Sequence, residues 1–170
     1  PTDALPIRVI LVETSAPSGL SSAGVFNAQQ SEPLQQALQD ARQAGRIAIV
    51  MTHYPFEGPN GRRPRQKTLF ARGLSNPDDL IDAMRSDPPA LFLHGHTHRA
   101  GAYYSDALPG TLCVDSGTLS GVYPHIERCG GFNEIRFIDR KIAVVRHYYF
   151  QNEWKTRIME PTATSRPSWD

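Results

Sequence analysis

Little in this 170-residue chain would tie it to a membrane, a disulfide scaffold or a polyanion. Its longest apolar runs, near Ile47 to Met51 and Ala90 to Leu93, have strand length, far short of the roughly 20 residues needed to cross a bilayer. No membrane partner is expected. Only two cysteines are present, Cys113 and Cys129, without a short metal-type spacing, so they read as buried or free thiols and not as a disulfide. A reducing, cytoplasmic setting is the default expectation. Charge of one sign is lacking too: 18 Lys+Arg against 17 Asp+Glu leave a net charge of +1. That balance gives no reason to expect nucleic acid or an acidic membrane surface, while a small charged substrate stays open. The chain starts at Pro1 without the basic start or small-residue cleavage site of a signal peptide, and is expected to be a piece of something longer. There is no internal repeat.

What is present is the pattern of an ordinary globular domain. "IRVILVE", Ile7 to Glu13, is dense in β-branched residues and runs into "TSAPSGLSSAG", which predicts a buried strand and a long turn. "SEPLQQALQDARQAG" predicts an amphipathic helix with Ser31 as N-cap, Pro33 in the first turn, Leu34, Ala37, Leu38 and Ala41 on one face, and Gly45 as terminator. "RIAIVMTH" predicts a second strand, so strand, helix and strand follow one another as in a parallel sheet with crossover helices. "NPDDLIDAMRS" predicts a short helix capped by Asn76, with Leu80, Ile81 and Met84 as its stripe, and "ALFLHG" a third strand. Beyond it, "YYSDALPGTLCVDSGTLS" and "FNEIRFIDRKIAVVRHYYF" alternate as half-exposed antiparallel strands do. The reading places residues 1–158 in the folded part and 159–170 in a polar, flexible tail.

The chemistry concentrates in "ALFLHGHTHRAG", where histidines at alternate positions follow an apolar strand. His125 and His147 read as ordinary hydrogen-bonded residues. His53, His96 and His98 differ, because each lies where an apolar strand passes into a loop, and ligands of open parallel sheets collect outside the carboxyl ends of strands. Gly95, without a Cβ, is expected to let the backbone turn sharply and aim both flanking imidazoles at one spot. Neutral imidazole is the commonest side-chain ligand for Zn, Mn and Fe.

"THYP" at the end of one strand, "GHTH" at the end of the next and "CVDSGTLSG" after them resemble the last motifs of the calcineurin-like metallophosphoesterases. The resemblance covers most of the chain but only the second half of that family's domain. It implies an α/β fold, the C-terminal half of a four-layer α/β/β/α sandwich with mixed sheets and flanking helices. It further implies that His53 and His96 ligate one metal and His98 a second, with Mn, Fe or Zn as the ions of a complete two-metal site. Thr52, Tyr54 and Thr97 would shape the turns around the ligands, and His94, which has no ligand role in the family, reads as packed at its strand end, the alternative being a contact that supports a ligand from behind.

The family's other ligands lie in Asp-x-His, Gly-Asp and Asn-His motifs, none of which occurs here. The bridging aspartate and the histidine that protonates the leaving group are therefore expected in a missing N-terminal half, in cis or as a separate chain, and no catalytic residue is assigned in this one. Three imidazoles carry no negative charge to offset two dications, so this chain alone is expected to hold one ion at best. Absence of the first half is also expected to leave an apolar sheet edge and face exposed.

The implied activity is hydrolysis of a phosphomonoester or phosphodiester by a metal-activated water, complete only with the missing half. Arg62, Arg63 and Arg65 in "GRRPRQK" follow a ligand closely and could meet the phosphate of a small-molecule ester, against the reading of a solvated loop. Tyr103 to Asp106 and Glu127 read as surface-strand residues, with a place lining the site as the alternative. The alternative to an enzyme is a non-catalytic fragment or degenerate binding domain that retains part of a metal site. An amidohydrolase, whose His-x-His pair follows the first strand of a longer barrel, fits the position of this pair poorly.

Overall fold

Short apolar segments that begin and end near Gly, Pro and polar residues have only the length for a few ladder bonds each, so they gain stability by lying side by side. In the computed structural model, which describes residues 6–15, 23–59, 62, 73–119, 129–138 and 141–161, they do so in two sheets. Strands β1 (Ile7–Leu11), β2 (Ile47–Met51), β3 (Leu91–His94), β4 (Gly101–Tyr104) and β5 (Leu112–Asp115) form the first, in the order β1-β2-β3-β5-β4. All its pairings are parallel except the antiparallel one between β4 and β5. Strands β6 (Gly131–Ile138), β7 (Lys141–Phe150) and β8 (Glu153–Met159) form an antiparallel second sheet. The fold is mixed α/β, as expected.

The register decides which residues share a face. Val9 pairs with Ile49, Ile49 with Leu91 and Leu91 with Leu112, and this face turns to the second sheet, where Val144, Ile135 and Phe137 meet it. On the opposite face Val50, Phe92 and Cys113 pack against α1 (Ser31–Gln43) and α2 (Pro77–Met84) through Leu34, Leu38, Leu80, Ile81 and Met84. The described residues thus make three layers, helix on sheet on sheet. Each fully buried aliphatic side chain in them contributes roughly 1.5–3 kcal/mol.

Coverage of the inter-sheet face is uneven. It is complete over β5 and fails toward β1, an edge strand on which Val9 is 54% and Leu11 76% exposed. The outer face of the second sheet also carries exposed apolar groups, with Phe132 and Tyr149 both in ring contact with Trp154.

Several expectations need correction. Ser31 is the first helical residue and not the cap, because a 3-10 turn over Ala28–Gln30 leads into α1 and its own cap is Asn27, whose side chain accepts from the Gln29 N–H. Asn76 sits at the N-cap of α2 but makes no cap bond; its amide instead accepts from the Phe26 N–H and donates to the Phe26 carbonyl, fastening the helix to a distant loop. "LCVD" is antiparallel to β4 as expected but not half-exposed: β5 is buried along its length, because its other neighbour is β3, to which it runs parallel. Strand β8 was not foreseen. It follows a tight turn in which Gln151 and Asn152 both take positive φ, the backbone twist that suits a two-residue hairpin. Of the tail expected over 159–170, Met159 instead ends β8, and residues 162–170 lie outside the described residues.

Candidate metal centre

Parallel pairing puts the carboxyl ends of β1, β2, β3 and β5 on one edge of the first sheet, and β2 and β3 are neighbours there. The ladder runs one step past the strands, since the Gly95 N–H donates to the His53 carbonyl at 3.1 Å. His53 and the next turn are thereby adjacent. His53 Nε2 lies 3.2 Å from His96 Nδ1, and their ring centroids are 5.1 Å apart. Tyr54 packs against both rings, at 4.7 Å from His53 and 4.4 Å from His96.

A nitrogen pair at that spacing has two chemical uses: one imidazole N–H can donate to the other, or both lone pairs can face a common ion. Two nitrogens each 2.0–2.1 Å from a tetrahedral ion stand about 3.3 Å apart, so the observed spacing fits a shared ligand role without adjustment. His98 is exposed and does not join this pair as a third ligand: among the described residues no three His, Cys, Asp or Glu side chains are gathered to hold one ion. Of the arginines expected to meet substrate, Arg62 is exposed, and its carbonyl accepts from the Gly58 N–H at 2.8 Å. Arg63 and Arg65, like His125 and Glu127, lie outside the described residues.

The sharp turn is made differently from the expectation at Gly95. Left-handed φ falls on His96 (+65°) and His98 (+57°), neither of which has glycine's freedom. Each costs on the order of 1 kcal/mol, to be offset by the surroundings. Gly95 serves close packing instead, because a Cβ there would stand 3.1 Å from the Ser116 hydroxyl. The turn itself is tied by the Thr97 N–H, which donates to the Gly95 carbonyl at 2.8 Å, and by the Thr97 hydroxyl, which donates to Asp115 Oδ2. In the companion turn after β2, the Thr52 hydroxyl donates to the Tyr54 carbonyl at 2.7 Å.

Behind the histidines lies a buried polar layer that sequence reasoning missed. Tyr103, expected on a surface strand, is 3% exposed; its hydroxyl donates to the Glu57 carbonyl at 2.6 Å and accepts from His94 Nε2 at 3.1 Å. That assignment leaves His94 Nδ1 as a buried acceptor without a hydrogen-bond partner, 3.6 Å from Asp115 Oδ2. Burial pushes the His94 imidazole down to about 4 and the Asp115 carboxyl up to about 6, the latter against the pull of Thr97, the Gly117 N–H and Arg146. His94 would need a pH below its value to be charged and Asp115 a pH above its own, so the contact is no ion pair. Glu57 is also buried, which pushes its carboxyl up, while the Asp106 and Ala107 N–H groups donate to it.

Asp115 is held in turn from the second sheet. Asn133 donates to its carbonyl at 2.9 Å, and the buried Arg146 donates to the carbonyls of Ser116 at 2.8 Å and Cys129 at 2.9 Å and to Asn133 Oδ1 at 3.2 Å. Gly117, at φ +70°, closes against Ala100, whose nitrogen would lie 2.9 Å from any Cβ added there. The signal for Asp115 was present in "LCVDSG": an acid at the end of an apolar strand stands in the same relation to its strand as His94 does to its own. Nothing local marks Tyr103 or Arg146, whose burial comes from distant segments.

No family description and no curated protein matches the chain. Solved structures do resemble it at low identity. GAP50, the anchor in the inner membrane complex of Plasmodium, is 13% identical with a TM-score of 0.52 over 79% of this chain and 43% of its own, so the chain spans less than half the length of that relative. Vps29 of Entamoeba histolytica, complexed with zinc, is 13% identical with a TM-score of 0.39, over 89% of this chain and 97% of its own. A protein of Streptococcus pneumoniae described as a predicted phosphoesterase is 12% identical with a TM-score of 0.36, over 88% of this chain and 96% of its own. Among the described residues no helix is long and apolar enough to cross a membrane.

Proposed function

We propose that the chain is the metal-binding C-terminal part of a calcineurin-like phosphoesterase, with His53 and His96 as two ligands of one divalent ion and His98 as a ligand of a second. The observation that carries this reading is the 3.2 Å approach of His53 Nε2 to His96 Nδ1 at the carboxyl ends of adjacent parallel strands. The substrate class is a small phosphate ester, and Arg62, with Arg63 and Arg65, is assigned to its phosphate. When bound, Mn, Fe or Zn ions would neutralise the phosphate and acidify an attacking water. The chain's own residues orient: the turns at His53 and His96 present two nitrogens at ligand spacing, and Tyr54 restricts both rings.

The remaining ligands and the general acid are assigned to an N-terminal half that adds strands beside β1. Support for this comes from β1 itself, an edge strand among the described residues, whose Val9 and Leu11 continue an apolar face that the second sheet does not cover. Parallel sheets are seldom left open in this way.

Metal titration of the chain, followed by cobalt absorption or calorimetry, tests the ligand assignment. One ion per chain is expected for the wild type, with binding lost in His53→Ala and His96→Ala at unchanged far-ultraviolet dichroism; equal binding by these variants overturns it. A non-catalytic domain that keeps part of a metal site is the second reading, favoured by the standing of His53 and His96 as a pair without a third ligand among the described residues. Phosphodiester hydrolysis on addition of the N-terminal half separates the two.

A further inference from the structure

We propose that Thr97 and Asp115 are positioning residues for the histidine turn: the hydroxyl-to-carboxylate bond between them holds His96 and His98 in their left-handed conformations and so sets the approach of His96 to His53. The inference deepens the metal reading above, on which its metal-binding half rests. Thr97 lies between two residues of positive φ, a backbone path that side chains other than glycine rarely follow unless something fixes it. Its hydroxyl meets Asp115 Oδ2 and also accepts from the Arg99 N–H at 3.2 Å, so one side chain ties both ends of the turn.

The anchor is itself held on several sides. Asp115 is the last residue of β5, in register with His94 on β3; its Oδ1 accepts from the Gly117 N–H at 2.8 Å, and Asn133 grips its carbonyl from the second sheet. The carboxylate is buried and meets the turn at the Thr97 hydroxyl. It acts through Thr97, and it gives the buried polar layer a purpose that packing alone does not supply.

The test has a metal-free arm and a metal arm. In metal-free protein, the nuclear Overhauser contact between the His53 and His96 ring protons is expected in the wild type and in Thr97→Ser, and is expected to vanish in Thr97→Val. In the metal arm, cobalt(II) affinity followed by absorption is expected to fall about tenfold or more in Thr97→Val, the size usual for residues that orient ligands, and to be restored by Thr97→Ser. Thermal midpoints show whether each variant folds; if Thr97→Val does not, Thr97→Ala takes its place. Asp115→Ala should reproduce the loss, and combining it with Thr97→Val should add nothing further. A ring contact and cobalt affinity that survive in Thr97→Val, or a Thr97→Ser variant as weak as Thr97→Val, overturn the proposal. A wild type that takes up no cobalt defeats the metal reading instead, and the metal-free contact still decides whether Thr97 positions the turn.

Discussion

Two histidine–carboxylate pairs in this molecule behave in opposite ways. On the second sheet, His147 Nε2 lies 2.9 Å from Glu134 Oε2 in reach of solvent, and the Arg136 guanidinium, then His147, pull the glutamate down to about 2. Behind the candidate metal centre, His94 Nδ1 and Asp115 Oδ2 are 3.6 Å apart and buried, and burial drives each toward its neutral form. Water makes the difference. In solvent the Glu134 carboxylate loses little hydration and keeps its charge, whereas inside the protein each charge costs more than its partner returns, so His94 and Asp115 are held by neutral hydrogen bonds.

The comparison breaks most visibly at Arg146, the buried cation that supports the Asp115 turn. Arg146→Ala strands the Ser116, Cys129 and Asn133 acceptors and is expected to cost about 3 kcal/mol in urea unfolding. A loss no larger than that of an exposed residue would show the buried layer to be slack.

The next effect is on pH dependence, where His94 and Asp115 have opposite signs. Asp115 has a raised value, so its contribution is fully present below its ordinary value of 3.8 and is lost as pH rises through about 6. His94 has a lowered value, so its contribution is present above 6.5 and is lost as pH falls toward about 4. Relative to wild type, Asp115→Asn should therefore gain stability as pH rises from 4 to 6, and His94→Gln should gain as pH falls through the same window, each by on the order of 2 kcal/mol. Urea midpoints at several pH values read both, and parallel curves for wild type and either variant would mean that the group titrates as it does in the unfolded chain.

The smallest effect belongs to the exposed pair. Glu134→Gln is expected to leave the urea midpoint at neutral pH unmoved, because a solvated pair adds little, and a clear drop would place His147 and Glu134 in the same class as the buried groups.

Most of the first sheet was legible because its signals are local. β-branched runs, a helix with a 3.6-residue stripe and strand-end histidines can be read without knowing what lies across the fold. The full burial of β5 was not legible because it depends on its parallel neighbour β3, which β4 separates from it in the sequence. Strand β8 escaped notice because it carries as many charged as apolar residues along its length, and its pairing with β7 depends on the Gln151–Asn152 turn.

The sequence by itself determined the composition class, the parallel run of strands and helices, and the positions of His53, His96 and His98 at strand ends, since each depends on periodicity and neighbours within one segment. Tertiary structure alone decided that His53 and His96 meet while His98 stands apart, that left-handed backbone falls on the histidines and not on Gly95, and that Tyr103, Asp115 and Arg146 form a buried layer beneath them. These are consequences of register between distant strands, and a chain read one segment at a time contains no term for the distance between them.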